Sequence, residues 1–483
     1  MNRRQLLSPR ILAALAGALV FALACRLKLF RLAGRWELET LAAYERCDFG
    51  FVRFALKRYY AGVRPARPLV GEAVAGRPRV FFVANTMSLW RKPVSSHLKL
   101  LVDTAEVFIR HGYEVQLLLT VHPYLSVFSH EQLEIRDFLG TSPTAIRDCL
   151  ARQCRQISGI DPEKLGIRIL GTAGHRQTLR QYVEQVDAEF ADLALSTTDL
   201  LFSVSGVYGC DLVHSRAANL PCRKLLMMFH FKNEIDDSMA RGYDVALSTV
   251  PERVSFTGAR HQLEVRRVKY RVSPFAWELK SDGAEHARPS ADLDRIARLA
   301  PDRVLVAARW AIARVIDSAF RDILAGWFQA WPAGCLVLIG DDEAVVHRAV
   351  ADERIPADRV IVLPFVDSLY AFYRELAARF VSIYALPRCA GSGQSTVFAV
   401  LAGLPVALHC RNDAEAYLPQ EIFAESYAAY GHILQRLSDD EAFRLGQVES
   451  ARAHINHNNA EVDRFFLSFL SESLPPELES AIA

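Results

Sequence analysis

The chain has 483 residues, too many for one compact core and enough for two α/β domains with extensions. Hydrophobic residues make up 51% of it and the formal net charge is only +2. That balance builds folded cores and excludes a dedicated nucleic-acid binder, whose basic excess would be far larger. The nine cysteines are scattered without a C-x-x-C pair, which excludes a clustered zinc site and points to reduced, mostly buried thiols in a cytoplasmic protein.

The first element is Ile11–Cys25, ILAALAGALVFALAC, uncharged and flanked by Arg3, Arg4 and Arg10 on one side and Arg26, Lys28 and Arg31 on the other. Fifteen helical residues reach about 22 Å, short of the roughly 30 Å hydrocarbon core of a bilayer. The stretch from Arg31 to Tyr60 mixes apolar and basic residues at helical spacing, which suits an anionic membrane surface. A buried helical hairpin and a cleaved signal peptide are the alternatives, the latter without a clear A-x-A site. Residues 1–76 are expected to form a hydrophobic and basic helical extension. Within it, residues 1–60 are the candidate contact with the cytoplasmic face of a membrane.

RPARP and GRPR punctuate the chain between Arg64 and Arg79. VFFVAN, from Val80, then reads as a buried strand, Leu98–His111 as a helix closed by Gly112, and YEVQLLLTV as a second strand. Strand, loop, helix, strand is the signature of a right-handed parallel unit. IRILGT, LLFSVSG, KLLMMFHF and DVALSTV continue it, giving a first domain over residues 77–280. The polar stretch 281–300, SDGAEHARPSADLDRIARLA, reads as a linker.

Alternation is cleaner over residues 301–440. RVLVAAR is a strand, Val315–Trp331 a helix, and CLVLIGDDE a strand and acidic turn. RVIVLPFV is a strand, Ser368–Ala378 a helix, FVSIYAL a strand, Ser395–Ala402 a helix, and LPVALHC a strand. This pattern predicts a doubly wound parallel sheet. Residues 441–483 read as polar C-terminal helices that return toward the first domain.

Ligands of such sheets bind beyond the carboxyl ends of the strands. Arg309 and Arg314 follow the first strand of the second domain, and RCAGSGQST follows FVSIYAL. Arginine presents paired donors to phosphate oxygens, and a helix N-terminus offers unpaired amides. Gly391 and Gly393 let a backbone approach closely, while Ser392, Ser395 and Thr396 carry hydroxyl donors. Together these seven residues form a candidate diphosphate site. No D-x-D motif stands at a strand end, and the pairs Asp341-Asp342 and Asp236-Asp237 read as solvated. No obligatory metal or cofactor is expected.

The ordered series RWAIAR, CLVLIGDDE, RVIVLPFVDSLYAFYRELAARFVSIYAL and GSGQSTVFAVLAGLPV, over about Val304–Val406, resembles the donor domain of GT-B glycosyltransferases. It is similar to the large retaining bacterial family of that fold. The resemblance implies an α/β chain with two Rossmann-like domains facing across a cleft, the second holding a nucleotide-sugar donor through Arg309 and Arg314. Counted from Gly403, the positions of that family's two glutamates are Ala390 and Phe398 here. The small, hydroxyl-rich loop is more similar to inverting enzymes such as the O-GlcNAc transferases. An inverting reaction would need a base from the first domain, with His97, His175, Asp211 and His230 as candidates; a retaining one would use the leaving phosphate. The implied activity is transfer of a sugar, a hexose, to a glycan or lipid-linked acceptor in envelope polysaccharide or glycolipid synthesis. The alternatives are a protein (peptide-acceptor) glycosyltransferase, a sugar-nucleotide 2-epimerase, and a non-catalytic nucleotide-binding relative.

Overall fold

The computed structural model describes residues 9–37, 40, 55, 59, 78–85, 96–120, 143–158, 160–161, 163–170, 179–204, 219–228, 233–257, 261–274, 290–308, 312–340, 342–363, 366, 368–387, 393–409 and 413–472. The chain divides into two compact units. One comprises Met1–Arg155, Ile160–Val268 and Phe466–Ala483, the other Gln156–Gly159 and Lys269–Phe465.

The first unit is built on β1 (Val80–Asn85), β2 (Val115–Thr120), β3 (Leu165–Leu170), β4 (Leu200–Val204), β5 (Arg223–Met228), β7 (Val245–Ser248) and β9 (Glu264–Arg267). All pairings are parallel, in the order β3-β2-β1-β4-β5-β7-β9. The four-residue strands β6 (Asn233–Asp236) and β8 (Val254–Thr257) pair with each other outside this sheet, and the short helix α6 (Asp237–Gly242) follows β6. Side chains alternate across the pleat. Phe82 and Phe202 therefore stack at 5.0 Å on one face, near Phe108 of α3 (Ser96–Arg110) and Phe466. Phe81, Val83 and Leu201 on the other face share a core with Val186 and Phe190 of α5 (Leu179–Asp192) and with Phe21 of α1 (Pro9–Arg26). A short helix α2 (Phe30–Ala33) follows α1, and α4 (Pro143–Ser158) precedes β3. Among the described residues no helix is long and apolar enough to cross a membrane.

The second unit carries β10 (Val304–Ala308), β11 (Cys335–Ile339), β12 (Val360–Leu363), β13 (Ser382–Ala385), β14 (Val406–His409) and β15 (Phe423–Ala424). Their order is β12-β11-β10-β13-β14-β15, again all parallel. Strands covered on both faces read as unbroken apolar runs, and β10 through β14 are buried along their whole length. The helices between them are α8 (Ser318–Ala330), α9 (Glu343–Val350), α10 (Leu369–Arg379) and α11 (Gln394–Ala402). After β15 come α12 (Tyr427–Asp439) and the long α13 (Glu441–Ser471).

Two boundaries differ from the sequence reading. Part of the stretch read as a linker is a helix, α7 (Ser290–Arg298), because Leu293 and Ile296 fall on one face and are fully buried. The segment from Lys269 belongs to the second unit, where Tyr270 is 1% exposed and the Val272 N–H donates to Asn459 Oδ1 at 2.9 Å.

Candidate functional site

Both sheets reverse their strand order at one place, between β1 and β4 and between β10 and β13. A crevice opens at such a switch point, outside the carboxyl ends of the strands. In the second unit this edge is built around Tyr384. Its side chain is fully buried on β13. The hydroxyl donates to the Ala308 carbonyl, the last of β10, at 3.3 Å, and lies 3.1 Å from Ser395 Oγ in the first turn of α11. A phenol has one proton to give, so the Ser395 hydroxyl donates in that second bond. Tyr384 thus ties two strand ends and a helix start together.

The start of α11 is unlike those of its neighbours. Asp317, Asp342, Ser368 and Ser426 cap α8, α9, α10 and α12 by accepting a backbone N–H three residues on. Gly393 occupies the same place before α11 in a left-handed conformation, φ 66°, and supplies no side-chain cap. Helix geometry leaves the first-turn amides without intrahelical partners, and the helix dipole adds positive potential there. Thr396 follows in that turn. It is fully buried, and its Oγ1 has no hydrogen-bond partner. An unsatisfied buried hydroxyl costs about 1–3 kcal/mol, so a polar atom arriving at this turn would relieve a standing penalty.

The remaining sequence candidates distribute as follows. Arg309, directly after β10, and Gly391 and Ser392, just before Gly393, lie outside the described residues, as do Asp211, His175 and His230. Arg314 falls in a short 3-10 turn, Ile312–Val315, and His97 in the first turn of α3. Phe398, where the resembled family has an acid, is 3% exposed within α11. Among the described residues no group of three or more His, Cys, Asp or Glu side chains is arranged to hold a metal ion. Burial pushes the Cys154, Cys222 and Cys335 thiols up to about 12, which keeps them protonated and unreactive at neutral pH.

Sequence reasoning missed three polar groups. Tyr384 was concealed in an apolar strand. His409, at the end of β14, is 8% exposed with its ring 4.8 Å from Tyr427. The Tyr427 hydroxyl in turn donates to Asp317 Oδ2 at 2.6 Å. The only cue for that chain was the strand-end position of His409. Lys99 and Asp103 of α3 form an ion pair at 2.7 Å with side chains 2% and 3% exposed; at i, i+4 the pair reads as a solvated helix face. A 180 Å³ cavity beside Arg295, His347 and Asp358 lies by the amino end of β12, the edge away from the switch point.

Structures of known proteins match this arrangement. The UDP-forming α,α-trehalose-phosphate synthase of Burkholderia vietnamiensis superposes with a TM-score of 0.51 at 14% identity, over 82% of this chain and 100% of that one. A glycosyltransferase of Rickettsia africae gives 0.51 at 10% identity, over 83% and 99%. Anabaena Alr3699/HepE in complex with UDP gives 0.50 at 12% identity, over 82% and 100%. The chain has the GT-B fold. In this GT-B chain the donor-domain series resembled in sequence corresponds to the second unit, from β10 to β14. No protein-family model matches the chain, and no curated protein matches it.

Proposed function

We propose that the chain is a glycosyltransferase whose second unit binds a nucleotide sugar at the β10/β13 switch point. The observation that carries the reading is the uncapped start of α11 with the orphaned Thr396 hydroxyl in its first turn. A diphosphate suits both groups, because its oxygens accept from the backbone amides of a helix start and from a hydroxyl. Arg309 and Arg314, five residues apart after β10, would neutralise the charge that develops on the leaving diphosphate. Gly391 and Ser392 would extend the cradle ahead of Gly393. Tyr384 would act through Ser395, fixing the helix turn against the strand ends, and would not touch the donor. UDP is the first nucleotide to test, since the HepE structure holds it.

The acceptor in this reading is a glycan or lipid-linked sugar. If the reaction inverts, His97, Asp211 or His230 would take the acceptor proton. The buried Phe398 favours a second reading, nucleotide binding without transfer, because an apolar side chain stands where the resembled family places its ribose-binding acid.

A thermal-shift screen with UDP, GDP, CMP, ADP and dTDP tests the site. A ligand at roughly a hundredfold excess over Kd adds about 2.7 kcal/mol to the folded state. One nucleotide is expected to raise Tm in the wild type and to lose that effect in Arg309→Ala. Free nucleotide released only when acceptor is present then marks transfer, whereas a shift without release supports the second reading. No shift with any nucleotide would sink both.

A further inference from the structure

Helix α1 is apolar on every side, a composition that ordinarily belongs to a helix surrounded by protein. Among the described residues only one face is covered. Ala18, Phe21, Ala24 and Cys25 are buried in the core of the first unit beneath the β1–β2–β4 region. The opposite face presents Leu19, Leu23 and Leu27, spaced i, i+4, i+8, at 58%, 59% and 60% exposure. Exposure does not stop with the helix. Leu29, Leu32 and Trp36, in and around α2, are exposed at 50%, 42% and 38%. Of the ten exposed large hydrophobic residues among those described, seven lie between Leu19 and Trp36. That concentration in one short stretch of chain differs from scattered surface leucines.

Charge selects what covers the patch. Arg26, Lys28 and Arg35 are exposed beside the leucines, and the first 36 residues contain no Asp or Glu. Lys28 sits in the tight turn that joins α1 to α2, held by the Leu29 N–H donating to the Ala24 carbonyl at 2.8 Å. A second copy of this face would set like charges against each other. A bilayer containing anionic lipid offers hydrocarbon to the leucines and phosphates to the cations together. Spanning is ruled out by packing, since one side of α1 belongs to the protein core, and 18 residues reach about 27 Å.

We propose that Leu19, Leu23, Leu27, Leu29, Leu32 and Trp36 form an in-plane docking face for membranes containing anionic lipid. The leucines enter the acyl boundary, Trp36 lies at the interface, and Arg26, Lys28 and Arg35 meet the lipid phosphates. The face shares no residue with the α11 site, so it stands or falls independently of the nucleotide-sugar reading.

The test is flotation of the purified full chain with vesicles of phosphatidylcholine, alone or mixed in roughly equal parts with phosphatidylglycerol. The wild type is expected to float with the mixed vesicles and to stay behind with the neutral ones. Leu23→Glu/Leu27→Glu is expected to bind the mixed vesicles at least about tenfold more weakly with Tm unchanged, because both side chains are more than half exposed. Lys28→Gln/Arg35→Gln alters no apolar residue, and it is expected to weaken binding and flatten its salt dependence. A wild type that floats with neither vesicle, or a leucine variant that floats like the wild type, overturns the proposal. So does a wild-type dimer that the leucine variant dissolves without any vesicle binding, which would assign the face to a second copy.

Discussion

Helices α1 and α11 are both apolar all round, yet the protein treats them differently. In α11 seven residues, Gln394, Thr396 to Val400 and Ala402, are buried, so its own unit supplies the cover that its composition demands. In α1 the core covers one face and leaves the leucine row outside. An apolar composition therefore says that a helix must be covered without saying by what. What each helix leaves unsatisfied is opposite in kind. At α11 the remainder is polar, a buried hydroxyl at a helix start without a side-chain cap; at α1 it is hydrocarbon edged with cations.

The largest effect should separate the two faces of α1. Phe21 is fully buried and meets Tyr59 edge-on at 5.1 Å, so Phe21→Ala is expected to cost about 3–5 kcal/mol in urea unfolding. Leu23→Ala on the other face should change stability by no more than about 0.5 kcal/mol. Equal losses at the two positions would mean that the outer face is covered in solution, and the comparison with α11 would collapse. A step smaller is the contrast between capped and uncapped helix starts. Asp317 caps α8 through the Phe320 N–H and accepts the Tyr427 hydroxyl, so Asp317→Ala should cost about 2 kcal/mol. Thermal unfolding with no change in Tm would show that the caps do not distinguish these helices.

Smaller still is one substitution with two signs. Gly393→Ala forces a Cβ into a left-handed conformation, φ 66°, and should destabilise by about 1 kcal/mol. Gly326→Ala, in the interior of α8 with nothing within 4 Å of the new Cβ, should stabilise by about 0.5–1 kcal/mol. Paired urea titrations check both, and a gain at Gly393 would remove the reason for a glycine at the site.

The second sheet was legible because strands buried on both faces spell out as RVLVAAR, CLVLIG and LPVALHC. Glycines and hydroxyl caps then marked where helices stop and start, as Gly112 ends α3 and Ser368 opens α10. Other features depended on partners distant in sequence. The helix read from Val315 begins at Ser318, because Asp317 takes the cap and a 3-10 turn fills the gap. Strands β6 and β8 are four residues each, too short for an alternation to register. The glycines and hydroxyl residues around the start of α11 were legible in composition. That Ser395 is engaged by Tyr384 while Thr396 is left alone depends on a strand contact that no spacing reveals.

Thr396→Val is the smallest and sharpest change, because the two side chains have nearly the same shape and differ in the hydroxyl alone. In the free protein the Oγ1 has no partner, so replacing it with a methyl group removes a desolvated polar atom. The variant should be more stable than the wild type by up to about 1 kcal/mol, read as a rise in Tm. If that hydroxyl donates to a bound diphosphate, the same variant should lose much of the nucleotide-induced shift. Stability gained and binding lost by one substitution would mark Thr396 as a residue held at a cost for its ligand. A Tm that falls would mean the hydroxyl is satisfied in solution, and the polar remainder that sets α11 apart from α1 would shrink to a helix start without a side-chain cap.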